Sequence, residues 1–261
     1  MPKAASNKST ARAKVAEMRA TQARRRRRRN WLAGAGAAAL AIIAAVVITL
    51  AVTSNSTPPP SAHRSTPVLK LASLSTLGTL TRAPAPGPAG PEGVPIPPAA
   101  PLAGTGASST GSTIDGISCQ TTEQTVFHIH AHLTIFVNGS PRQIPAGIGI
   151  PGAQAQNTAS GTFITGGTCL YWLHTHAADG IIHIESPVQR TFTLGDVFDE
   201  WGQPLSSGQV GPASGHVTAL YNGQVYQGNP RNIPLNAHAQ IQLDIGTPLI
   251  APETISFPNG L

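Results

Sequence analysis

Eight of the nine histidines of this 261-residue chain fall between Ile114 and Leu261, and most of them lie in two alternating runs. The first is His128-Ile-His130-Ala-His132; the second is His174-Thr-His176, followed by His183-Ile-Glu185. On an extended strand, residues two apart face the same way with Cα atoms about 6.6 Å apart, close enough for both side chains to grip one ion. Three imidazoles and a carboxylate converging on one face are costly to bury unless something ligates them. The donor set suits zinc or copper(II) best, and also iron or manganese. His174, His176 and His183 rank first as ligands, then His128 and His130, then His132, Glu185 and Asp179. His216 and His238 are isolated and rank last. Glu185 or Asp179 could instead handle protons for a metal-bound water. A single histidine on a strand is usually only a polar neighbour, but two alternating runs argue for more. Whether they form one site or two stays open.

These side chains need strands to aim them. In 126–137 (VFHIHAHLTIFV) the odd positions are apolar and the even ones carry the histidines, and Asn138-Gly139 marks a tight turn. In 170–186 (LYWLHTHAADGIIHIES), Asp179-Gly180 predicts a two-residue hairpin turn. That register sets Ala178 opposite Ile181, His176 opposite His183 and His174 opposite Glu185, with Trp172 beside them. Leu173, Thr175, Ile182 and Ile184 take the other face. Any loop of even length keeps this parity. The segment from His132 to Gly139 is echoed by His216 to Gly223, and Pro141-Arg-Gln-Ile-Pro145 by Pro230-Arg-Asn-Ile-Pro234, which suggests an internal duplication. Further strands are expected at 239–245 and at 254–257. One helix is expected at 194–201 (LGDVFDEW), capped by Thr193, stopped by Gly202 and serving as a lid over one sheet end. The fold class that follows is mainly β, a sandwich or small barrel of two related halves with one short helix.

Cys119 and Cys169 precede the two histidine runs by nine and five residues. A disulfide between them would contribute on the order of 4 kcal/mol in the chain-entropy model; thiolate ligation of a metal is the alternative. Both methionines, Met1 and Met18, lie far from this region, which argues against a thioether-type copper(I) carrier.

Charge divides the chain. Residues 1–30 hold eleven Lys/Arg against Glu17, whereas the remainder holds six Lys/Arg against ten Asp/Glu, a net of −4. From Ile114 onward there are three Arg, no Lys and nine acids, so the folded part has no basic face for nucleic acid. Leu32 to Thr53 are uncharged, and at 1.5 Å each they reach about 33 Å, enough to cross a bilayer. Arg24 to Arg29 directly before them predict an N-terminus inside, in contact with anionic lipid, and a C-terminus outside. A cleaved signal peptide is the rival reading, although the apolar run is long for one. The expected order is a basic cytoplasmic arm (1–30), a transmembrane helix (31–53), a disordered Pro/Ser/Gly-rich spacer (54–113) and an extracytoplasmic β domain (114–261). Within the spacer, residues 68–80 are more apolar and fit a short helix or a membrane contact.

The stretch from Leu173 to Gly180 resembles the opening metal motif of the polymerase-and-histidinol-phosphatase phosphoesterases, with a His-to-Asp-Gly spacing one residue shorter. His-x-His plus a later His on a neighbouring strand resembles the zinc arrangement of α-type carbonic anhydrases and of cupins, without the cupin spacing to Glu. The segments HIHAHLTIFVNG, LYWLHTHAADGIIHIESP and FTLGDVFDEWG together resemble an uncharacterised family of bacterial membrane-anchored or exported histidine-rich proteins. That resemblance covers roughly 119–261 and implies an extracytoplasmic setting but no particular reaction. The leading expectation is a membrane-tethered metal-binding domain for sensing, buffering or delivery. A metal-dependent hydrolase or lyase, and a metal-free module that meets a protein partner of the cell envelope, are the alternatives.

Overall fold

The computed structural model describes residues 69–105 and 110–261. The basic arm, the apolar span and the first part of the spacer lie outside the described residues, among which no helix is long and apolar enough to cross a membrane.

Among the described residues thirteen strands follow in chain order: β1 (Leu71–Ala72), β2 (Phe127–Val137), β3 (Ser140–Arg142), β4 (Gln154–Thr158), β5 (Gly161–Gly166), β6 (Leu173–His174), β7 (Ile181–Ser186), β8 (Leu205–Ser206), β9 (Gln209–Val210), β10 (Ala213–Ser214), β11 (Val217–Tyr221), β12 (Gln224–Tyr226) and β13 (Gln240–Ile245). Among the described residues the single α-helix, α1, spans Leu194–Trp201. The main sheet runs β1-β12-β11-β13-β2-β7-β6, with β3 also paired to β2. Its two ends do not meet, so the sheet is open and the expected small barrel is not formed. Strands β8 to β10 form a small meander, and β4 with β5 a separate hairpin.

Alternation along β2 sends Ala131, Leu133 and Ile135 into one apolar core with Leu173, Ile182 and Ile184. Leu194, Val197, Phe198 and Trp201 of α1 join that same core, so the helix is part of the packing rather than a lid. Its ends obey local chemistry. The Asp196 carboxylate accepts a hydrogen bond from the Thr193 N–H at 2.8 Å, and Gly202 closes the helix in the left-handed region at φ 67°.

The two echoed segments become hairpins with the same turn. Asn138-Gly139 and Asn222-Gly223 all have positive φ, and β13 lies between the two hairpins, parallel to β2 and antiparallel to β11. Downstream the copies diverge: Pro141–Arg142 lie in β3, whereas Pro230–Asn232 form a 3-10 turn. Residues 254–257 are not a strand. The side chains of Gln240 and Gln242 instead accept from the N–H groups of Ile255 and Glu253, at 2.7 and 2.9 Å.

The disordered spacer expected up to residue 113 needs correction for its described part. β1 pairs with β12, Thr81 bridges Ile250 and Pro101 bridges Gln143, while Glu92, Val94 and Leu102 are buried. Composition alone missed this, because a proline-rich strap loses little chain entropy on docking and needs few backbone partners.

Candidate metal centre

Three neighbouring strands carry the site. In the β2–β7 register, His128 stands opposite Glu185 and His130 opposite His183; in the β6–β7 register, His174 stands opposite His183. The tight turn expected at Asp179-Gly180 is a six-residue connection, 175–180, so His174 pairs with His183 rather than with Glu185. The connection is even in length, and the predicted sharing of one face survives.

His183 is the centre. Its Nδ1 lies 3.1 Å from His130 Nε2, which lies 3.2 Å from His128 Nε2. Glu185 Oε1 is 3.2 Å from His128 Nε2 and 3.6 Å from His183 Nδ1. An ion with four bonds of 2.0–2.1 Å holds tetrahedral ligand atoms about 3.3–3.4 Å apart. The ring nitrogens of His128, His130 and His183 thus lie within 4.8 Å of one another, within reach of one ion, and Glu185 borders two of them. His130, His183 and Glu185 are buried, and His128 is the exposed member, with 38% of its side chain accessible. A cleft of about 210 Å³, lined by His128, His130, His238 and Leu261, opens beside it.

A second group lies on the other side of His183. His174, His176 and His183 each bring one ring nitrogen within 4.8 Å of the others, all three buried. His176 belongs to the connection, yet its ring packs at 4.9 Å from His174 and 4.6 Å from His183. Carbonyls aim these rings. His174 Nδ1–H donates to Tyr171 O at 2.8 Å, and His176 Nδ1–H to Ile164 O at 2.5 Å. A carbonyl only accepts, so each Nδ1 carries the proton and each Nε2 presents its lone pair. The Nε2 of His174 is buried without a hydrogen-bond partner. Gly149 makes the backing possible. A Cβ there would meet Leu173 O at 2.2 Å, and its φ of +68° suits glycine.

The sequence reading missed Glu92. Its Oε1 accepts from His183 Nε2–H at 2.8 Å, across 91 residues of chain. The one available signal was that Glu92 is the sole acid between Glu17 and Asp115.

Charge follows from these contacts. Burial, then neighbouring imidazoles, lowers His130 to about 3 and His176 to about 4, and pushes His174 well below its ordinary value. Burial opposes charge on His183 too, but Glu92 and Glu185 outweigh it and raise the group to about 10. Burial would likewise raise Glu185, yet hydrogen bonds from His128 and His183 hold it below the usual carboxylate range.

Several ranked residues lie elsewhere. His132 is buried, but its Nε2–H donates to Asp179 O at 2.9 Å, and it joins neither group. Asp179 Oδ1 accepts from Ile181 N–H at 3.1 Å, and burial, reinforced by the charge of Glu92, raises its carboxyl to about 8. Both line a larger cleft of about 480 Å³ that none of the clustered donors lines. His216 is exposed, His238 stacks on Phe257, and Trp172 joins the apolar core instead of the histidines. Cys119 and Cys169 are disulfide-bonded, which removes thiolate ligation. Comparison with protein-family models, curated proteins and solved structures finds no match to this chain, and the chemistry of the site rests on its own atoms.

Proposed function

We propose that this chain is a membrane-tethered, extracytoplasmic metal-binding protein that takes zinc or copper(II) for sensing, buffering or delivery. The observation that carries the reading is the spacing of His128, His130, His183 and Glu185, whose donor atoms stand 3.1–3.6 Å apart along four edges. Three imidazoles with a carboxylate beside two of them offer the nitrogen and oxygen donors that zinc and copper(II) take. The tether and its direction rest on the uncharged run Leu32–Thr53 behind Arg24–Arg29.

Elemental analysis of the full chain in detergent, after dialysis against free metal, tests the site. The wild type should retain at least one equivalent of zinc or copper, and a His130→Ala/His183→Ala variant should retain none. Metal-free wild type, or equal retention by the variant, would refute the reading. A reporter fused after Leu261 tests the orientation, and activity on the cytoplasmic side would overturn it.

A further inference from the structure

We infer that His183 bridges two metal ions, one at each ring nitrogen, so that the two histidine groups form a single dinuclear centre. This rests on the metal-binding reading above and extends it to a second site. Nδ1 of His183 faces His130, His128 and Glu185, and Nε2 faces Glu92 at 2.8 Å. The ring therefore has a partner at each of its two nitrogens. His174 and His176 stand with it as a group on their own, within 4.8 Å. Both present Nε2, because Tyr171 and Ile164 carbonyls hold the protons on Nδ1. The buried, partnerless Nε2 of His174 is the atom hardest to explain without an ion. Hydrogen bonds account for Nε2 of His183 through Glu92 but leave this lone pair idle in the interior.

The second ion would take His174 Nε2, His176 Nε2, His183 Nε2 and Glu92 Oε1. Each half then has two histidines of its own, one carboxylate and the shared ring. Zinc or copper(II) accepts such a set. The first ion displaces the proton on His183 Nδ1 and the second the proton on Nε2, both to solvent, so the bridging ring is an imidazolate. The halves differ in access: His128 reaches solvent, while His174, His176, His183 and Glu92 are all buried.

The test is a copper(II) titration of the metal-free full chain, followed by electron paramagnetic resonance. The first equivalent should give an isolated-ion signal. The second should make that signal collapse, because an imidazolate couples the two spins antiferromagnetically. Zinc added as the second equivalent should leave it at full intensity. Saturation at one equivalent, or two equivalents with undiminished signal, would overturn the bridge while leaving the single-ion reading intact. No uptake would remove both. A His174→Gln/His176→Gln variant should still bind one equivalent with an uncoupled spectrum, and that retained ion reports that the variant has folded. If this variant still bound two coupled ions, the assignment of the second half would fall.

Discussion

The two sides of His183 hold similar donors but are built differently. On the β2 side, His128, His130 and Glu185 are placed by strand register alone, and one of them touches solvent. On the β6 side, His174 sits in a two-residue strand, His176 in a loop and Glu92 on a distant strap. That side is held by carbonyls, by β5 and by the segment around Gly149. A ladder can position ligands cheaply but leaves its edge open, whereas a closed pocket needs several separate pieces of chain.

Removing the element common to both sides should have the greatest effect. His183→Ala is expected to lower metal affinity by more than about 100-fold, read by competition with a chelator. If it left a tight site on either side, His183 would not be central. Changing pH comes next. His130, His174 and His176 are neutral at neutral pH, whereas His183 keeps its proton until about 10. An ion must displace that proton, so affinity should rise about tenfold per pH unit between pH 6.5 and 10. A flat profile over that window would count against ligation by His183.

The metal-free protein should show the converse. The raised His183 stabilises the fold below its unfolded value of 6.5, and that contribution is lost as pH rises through about 10. The lowered His130 and His176 make stability fall as pH drops from 6.5 toward 3–4. Thermal melts in chelator should therefore peak near pH 6.5, and a plateau extending to pH 9 would contradict the assignment.

Glu92→Gln separates the two sides. It should weaken the interior one by about 10–100-fold and leave the first ion near its wild-type affinity. The smallest change belongs to the helix. Asp196→Ala removes the hydrogen bond to Thr193 N–H and should cost about 1 kcal/mol in denaturant melts, with metal uptake unchanged.

What could be read from the sequence follows the same division. Period-two alternation placed β2 and β7, the Asn-Gly turns placed both hairpins, and Thr193 and Gly202 bounded the helix, because these signals are local. The β6–β7 register was misread, since Asp179-Gly180 resembles a tight turn while Thr175 is drawn off by Pro145 and Ile148. His132 was over-ranked because parity gives a face but not the carbonyl waiting there. Glu92 lay beyond any local signal: its partner is 91 residues away, and its proline-rich surroundings imitate a solvated spacer. A fragment starting at residue 114 would lack it.

The bond between Cys119 and Cys169 lies just before Tyr171, whose carbonyl sets the proton on His174. It also fastens the stretch leading into β2 to the stretch leading into β6, beside the Gln120–Leu170 bridge. A copy with both thiols reduced would carry every one of these side chains yet lack the covalent clasp two residues before the carbonyl that aims His174.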